Sequence, residues 1–181
     1  GYTIVRGYDE YASLNGEADK VLLIQKEDMV ENTLPYAIDA RDGDLTLAQV
    51  TTAAIDHLYD RRHKKGFFLM VEGSQIDYQG HGNSTEGVID EMLDFDRVIR
   101  LALDFAERDG ETLVVITADH ETGGLALGRG PYELNLKAIS HQRMSMVKLE
   151  RELKAMKDAK GDKFTWEEAK KFLTENFGFW E

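Results

Sequence analysis

Apolar and polar positions follow two rhythms along the chain. "KVLLIQ" (20–25), "GFFLMVEG" (66–73) and "TLVVIT" (112–117) are short apolar runs with β-branched content, and each reads as a strand. The second is apolar throughout, as a strand covered on both faces is. Between the runs the period lengthens to that of a helix. Leu45, Leu47, Val50, Ala54 and Leu58 recur at spacings of two to four, which predicts a helix from Leu45 to about Arg62 with Asp44 as N-cap. "IDYQGHGN" (76–83) reads as loop, with its two glycines. Ser84 then caps a long helix striped by Val88, Met92, Phe95, Ile99, Ala102 and Ala106, with Gly110 just past its end. The order strand, helix, strand, helix, strand is that of a parallel α/β sheet with right-handed crossovers.

The flanks differ from this centre. Residues 26–44 read as an acidic loop. Beyond Gly130 the pattern is amphipathic and helical over 133–159, and "TWEEAKKFLTENFG" (165–178) carries a capping box, with Thr165 at the N-cap and Glu168 three positions on. This tail reads as a helical insertion or covering element over about 131–181, its Met and aromatic residues serving packing. There are no repeats and no low-complexity segments.

Composition narrows the classes. The 181 residues suit one domain or a large part of one, and 42% hydrophobic content suits a packed core. A net charge of −12 argues against nucleic acid or an anionic membrane surface and is compatible with binding cations. Without cysteine there is no disulfide framework, thiolate metal site or cysteine nucleophile. The longest apolar runs fall far short of the ~20 residues of a membrane span. No signal peptide is visible and the chain does not begin with Met, so a processed chain or a fragment is expected.

Chemistry collects at the ends of two predicted strands. The second ends at Glu72, followed closely by Asp77 and His81; the third runs into Asp119 and His120, in "TADHETGG" (117–124). Ligands of parallel α/β sheets bind beyond the carboxyl ends of the strands, so parallel strands would set all five side chains at one edge. Carboxylates and imidazoles suit zinc, and carboxylate oxygens also suit magnesium. The Asp77-x-x-x-His81 spacing lets both residues reach one ion, on one helical turn or on a loop bent by Gly80 and Gly82. Asp119 and His120 can share an ion only where the backbone turns sharply, and the glycines that follow supply that freedom. Alone, each pair is an ordinary surface pair or a salt-bridge partner; their convergence is what points to metal.

These motifs resemble the alkaline phosphatase family. The resemblance rests on "GFFLMVEGSQIDYQGHGN", then "EMLDFDRVIRLALDFAERDGETLVVITADHETGGL", and reaches upstream to "LTLAQVTTAAIDHLYDRRHKKG". It covers about residues 18–128 as the core. It implies an α/β/α sandwich with a parallel sheet, here partial and with a helical C-terminal extension, the whole of 1–181 belonging to one domain. It also implies phosphate monoester hydrolysis by two zinc ions and one magnesium ion, through a phosphoserine intermediate formed on an Asp-Ser-Ala serine. By motif, Glu72 would bind magnesium. Asp77 and His81 would bind the zinc that holds the leaving group and activates water, and Asp119 and His120 the zinc beside the nucleophile. The full-length enzyme would be an exported (periplasmic or secreted) homodimer.

Parts of the family pattern do not occur. No Asp is followed by Ser, and the five histidines are followed by Leu, Lys, Gly, Glu and Gln, never by Thr or Ser. The early metal-bridging aspartate and the phosphate-clamping arginine have no counterpart either. The expectation is a later-middle piece of a longer enzyme, holding about half of each metal site, no nucleophile and no turnover of its own. By the resemblance, Ser74 is a small residue beside the ligands and not the nucleophile, and Tyr78 a variable position that tunes contacts of the phosphate or around the ligands; His57, His63 and His141 read as solvated helix residues. Two other readings stand: a phosphodiesterase or phosphonate hydrolase of the same superfamily, and a non-catalytic divalent-cation-binding module.

Overall fold

The computed structural model describes residues 1–26, 33–62, 65–125 and 136–180. These group into two compact units. The first comprises Gly1–Pro35, Ala40–Gly73 and Met92–Thr117, the second Tyr36–Asp39, Ser74–Glu91 and Ala118–Glu181.

In the first unit, β1 (Thr3–Arg6) and β2 (Val21–Ile24) pair in parallel, with Thr3 opposite Val21 and Arg6 opposite Ile24. The predicted strand over 20–25 is thus present. β1 was not read from the sequence, although Ile4 and Val5 supply the β-branched signal. Helix α1 (Tyr8–Ser13) connects the two strands, and the Tyr11 hydroxyl donates to the Ala53 carbonyl of α2 (Leu47–Arg62) at 2.7 Å. Val5, Leu45, Ala53, Ile55 and Val98 are buried here.

Helix α2 starts later than its apolar pattern suggests, and Asp44 is not its cap. Thr46 Oγ1 accepts from Gln49 N at 3.1 Å while Gln49 Oε1 accepts from Thr46 N at 3.0 Å, a capping box. Asp44 is engaged elsewhere, accepting from Gln25 Nε2 at 2.6 Å and from Arg41 N at 2.9 Å.

The predicted strands at 66–73 and 112–117 are corrected. Among the described residues the only sheet is the β1–β2 pair, and neither run belongs to it. Both keep a two-residue alternation of exposure. Phe68 and Met70 are 88% and 77% exposed, while Phe67, Leu69 and Val71 are half-buried; Leu113 and Val115 are 85% and 74% exposed around a half-buried Val114. A strand is defined by its ladder, and an apolar pattern supplies the face without supplying the partner. The inner side of 66–73 meets α4 (Thr85–Asp109), with the Phe67 and Phe105 rings 6.2 Å apart and Tyr59 edge-on to Phe105 at 5.3 Å.

The second unit is helical. Helix α3 (Ser74–His81) occupies the stretch read as loop. Ser84 precedes α4 as predicted; residues 92–109 of that helix, and Gly110 after it at φ 72°, belong to the first unit. The predicted helical run over 133–159 is two helices, α5 (Leu136–Ile139) and α6 (Met146–Lys160), with residues 126–135 outside the described set. The break falls where Ser145, fully buried, caps α6. Its hydroxyl accepts from Lys148 N and donates to Asp39 Oδ2 at 2.5 Å, while its N–H donates to Asp39 Oδ1 at 3.2 Å. Helix α7 (Trp166–Phe177) starts at the predicted Thr165–Glu168 capping box and ends at Gly178, φ 67°. Met144, Leu149 and Phe177 form its core with Leu153, Phe172 and Leu173.

Candidate functional site

Asp77 and His81 lie one turn apart on α3. That settles the choice between helix and bent loop in favour of the helix, where positions i and i+4 share a face. His81 Nε2 stands 3.4 Å from Asp77 Oδ2. Gly80, inside the helix, costs about 1 kcal/mol relative to Ala in intrinsic propensity. Its missing side chain is used: a Cβ there would lie 3.1 Å from both Cβ and Cγ2 of Thr122.

The segment from Ala118 to Leu125 closes on that surface. Thr122 Oγ1 donates to Asp77 Oδ1 at 2.5 Å, and Gly123 approaches the Gly80 carbonyl. The sharp turn expected after His120 is present, with Gly123 and Gly124 at φ 72° and 64° and Gly124 N donating to Glu121 Oε2 at 2.7 Å. Within the turn, His120 N donates to Asp119 Oδ1 at 3.0 Å, and His120 Nδ1 contacts the Glu121 carbonyl oxygen at 2.8 Å. A carbonyl oxygen only accepts, so Nδ1 donates there, and Nε2 stands 3.5 Å from Asp119 Oδ2. The bond to the Glu121 carbonyl, with the Asp119 charge and smaller contributions from Asp77 and Glu121, raises the His120 imidazole above its ordinary pKa.

Each pair therefore presents one imidazole nitrogen and one carboxylate oxygen, 3.4 Å apart in one and 3.5 Å in the other. Two donors about 2.0–2.1 Å from one tetrahedral zinc ion stand roughly 3.3–3.4 Å apart, so each pair fits two corners of such a shell in spacing and chemistry. Neither is a complete shell: among the described residues no three His, Asp or Glu side chains converge to hold a metal. The sequence-predicted residues divide accordingly. Asp77, His81, Asp119 and His120 lie in the second unit, and Glu72, exposed, lies in the first.

The remaining candidates fall outside this cluster. Ser74 opens α3 and Tyr78 is exposed on it. His57 contacts the Asp19 carbonyl at 3.2 Å, His141 is half-buried against Gly178, and His63 lies outside the described residues. Sequence reasoning missed Thr122; its only signal was a hydroxyl between the Asp-His pair and the glycines. Among the described residues no helix is long and apolar enough to cross a membrane.

Comparison with known proteins bears on family and fold. The family model described as alkaline phosphatase matches residues 25–176. Alkaline phosphatase 4 of Bacillus subtilis is 47% identical over 95 residues, 52% of this chain and 20% of that protein. The chain thus spans about a fifth of the length of such curated relatives. The crystal structure of Thermus thermophilus alkaline phosphatase superposes with a TM-score of 0.76 at 27% identity, covering 98% of this chain and 36% of the other. The cold-active alkaline phosphatase of Shewanella sp. superposes equally well, at 29% identity over 99% of this chain and 40% of its own. The α/β fold class expected from the sequence is the fold of these neighbours.

Proposed function

Because this chain belongs to the alkaline phosphatase family, we propose that the intact enzyme hydrolyses phosphate monoesters at a two-zinc, one-magnesium site, through a phosphoserine intermediate formed on a serine outside these 181 residues. Asp77 and His81 would hold one zinc, Asp119 and His120 the other, and Glu72 the magnesium. Divalent ions so placed polarise phosphoryl oxygens and offset the charge that develops on the attacking and leaving oxygens. The observation that carries the reading is the docking of the Asp119–His120 turn on α3 through the Thr122–Asp77 bond, which brings two imidazole–carboxylate pairs into one unit.

The chain's own residues orient and present. Asp77 accepts from Thr122 with one oxygen and leaves the other facing His81. His120 is oriented by the Glu121 carbonyl so that Nε2 is the available donor. Two donors per ion leave each shell to be completed from elsewhere, so the 181 residues alone should bind zinc weakly and not turn over substrate. Export of the intact enzyme and its assembly as a homodimer complete the proposal, on the strength of the family resemblance.

The test is p-nitrophenyl phosphate hydrolysis by the intact enzyme supplied with zinc and magnesium. Asp119→Ala should lower kcat/KM by about a hundredfold or more, and an unchanged rate would sink the assignment. Preference for the monoester over bis(p-nitrophenyl) phosphate separates this reading from a phosphodiesterase.

A further inference from the structure

We propose that Thr122 is a positioning residue for the metal site: its hydroxyl occupies one oxygen of Asp77 and so presents the other, together with His81 Nε2, to a bound zinc ion. The inference rests on the reading of Asp77 and His81 as zinc ligands and adds a residue to it.

The geometry is specific to this side chain. Thr122 has two faces and both are engaged. Its methyl and Cβ pack against Gly80, each 3.1 Å from where a Cβ would stand, and its hydroxyl bonds Asp77 Oδ1 at 2.5 Å. Glycine at position 80 is what lets the turn come this close to α3. The bond has a consequence for coordination. A free aspartate can rotate about its terminal torsion and offer either oxygen or both. With Oδ1 held by a hydroxyl, Asp77 offers Oδ2 alone, which stands 3.4 Å from His81 Nε2. A single oxygen suits the four-coordinate zinc geometry better than a chelating carboxylate does. Partners that orient a ligand in this way are worth about ten- to a hundredfold in metal affinity. The bond also joins the two pairs. It anchors the turn that carries Asp119 and His120 to the helix that carries Asp77 and His81.

A merely structural clip would use the methyl; a positioning residue uses the hydroxyl. Two substitutions separate them in the intact enzyme. Thr122→Val keeps the shape on Gly80 and removes the donor, and Thr122→Ser keeps the donor and removes the methyl. The measurements are zinc affinity, by competition with a chromogenic chelator, and the melting temperature of the metal-free protein. Asp77→Ala identifies the zinc concerned as the one it weakens. Thr122→Val should weaken that zinc about ten- to a hundredfold with the metal-free melting temperature little changed, while Thr122→Ser stays within about threefold of the parent. Serine weakening zinc as much as valine, or valine leaving it unchanged while Asp77→Ala weakens it, would overturn the positioning role and leave the metal site standing. Should Thr122→Val fail to fold, Thr122→Ala takes its place, since Ala and Ser differ by the hydroxyl alone: Ala binding zinc as tightly as Ser would overturn the role. Zinc affinity unmoved by Asp77→Ala would remove the zinc reading itself, and this inference with it.

Discussion

Asp44 shows how the same residue reads differently alone and among neighbours. By position it is an acceptable N-cap. In the fold its carboxylate joins Gln25 Nε2 to the Arg41 backbone and guanidinium, and Gln25 in turn accepts from Leu45 N at 2.7 Å. Burial pushes the Asp44 carboxyl up, but the hydrogen bonds and charge of Arg41, together with the Gln25 bond, outweigh it and hold the carboxyl below its ordinary pKa. A carboxyl lowered by folding contributes stability above its unfolded pKa and loses it as pH falls through the folded one. Asp44→Asn should therefore cost about 1–3 kcal/mol near neutral pH. The melting-temperature gap between parent and variant should close as pH drops from about 6 towards 3; a gap that widened on acidification would refute the sign. The candidate ligands divide along the same line. Asp77, His81, Asp119 and His120 were candidates by residue type and by the family resemblance, while the strands expected to carry them are not formed. Thr122 was not, because its role lies in a contact spanning 45 residues of sequence.

Elements set by neighbours in sequence were legible to within a residue or two. The box at Thr165 and Glu168 needs only positions three apart, and Glu168 also pairs with Lys160, which with the Thr165 bonds holds its carboxyl below the ordinary range. Thr165→Ala should destabilise the protein by about 1 kcal/mol, read as a lower urea midpoint at unchanged slope. A midpoint that did not move would show the box to be idle. Helix α3 was missed for the opposite reason. Its Gly80 argues against a helix locally and is tolerated because Thr122 fills the space above it. The break before α6 was missed likewise, since the Asp39 that binds Ser145 stands 106 positions away.

Over the whole molecule, the two units carry different debts to the hydrophobic effect. The second buries Met144, Leu149 and Phe177 against one another. The first leaves Phe68, Met70, Leu113 and Val115 mostly exposed on segments with strand-like alternation. Exposed apolar segments of this kind invite association. The 181-residue chain should self-associate in sedimentation runs at about 100 µM, and Phe68→Lys with Leu113→Lys should shift it towards monomer. A parent chain that stayed monomeric across that range would show these segments to be benign.

Read along the chain, the residues carry the family resemblance, the helices with self-contained caps, the candidate ligands by residue type and the acidic character that is compatible with cations. These depend on side-chain chemistry and on spacings of a few residues, which any stretch of sequence displays. The sheet partners, the helical state of α3, the true cap of α2 and the clamp of Thr122 on Asp77 depend on segments far apart in the chain. A ladder, a filled glycine notch or a shared carboxylate exists only once folding has brought both halves together, and no local pattern encodes the second half.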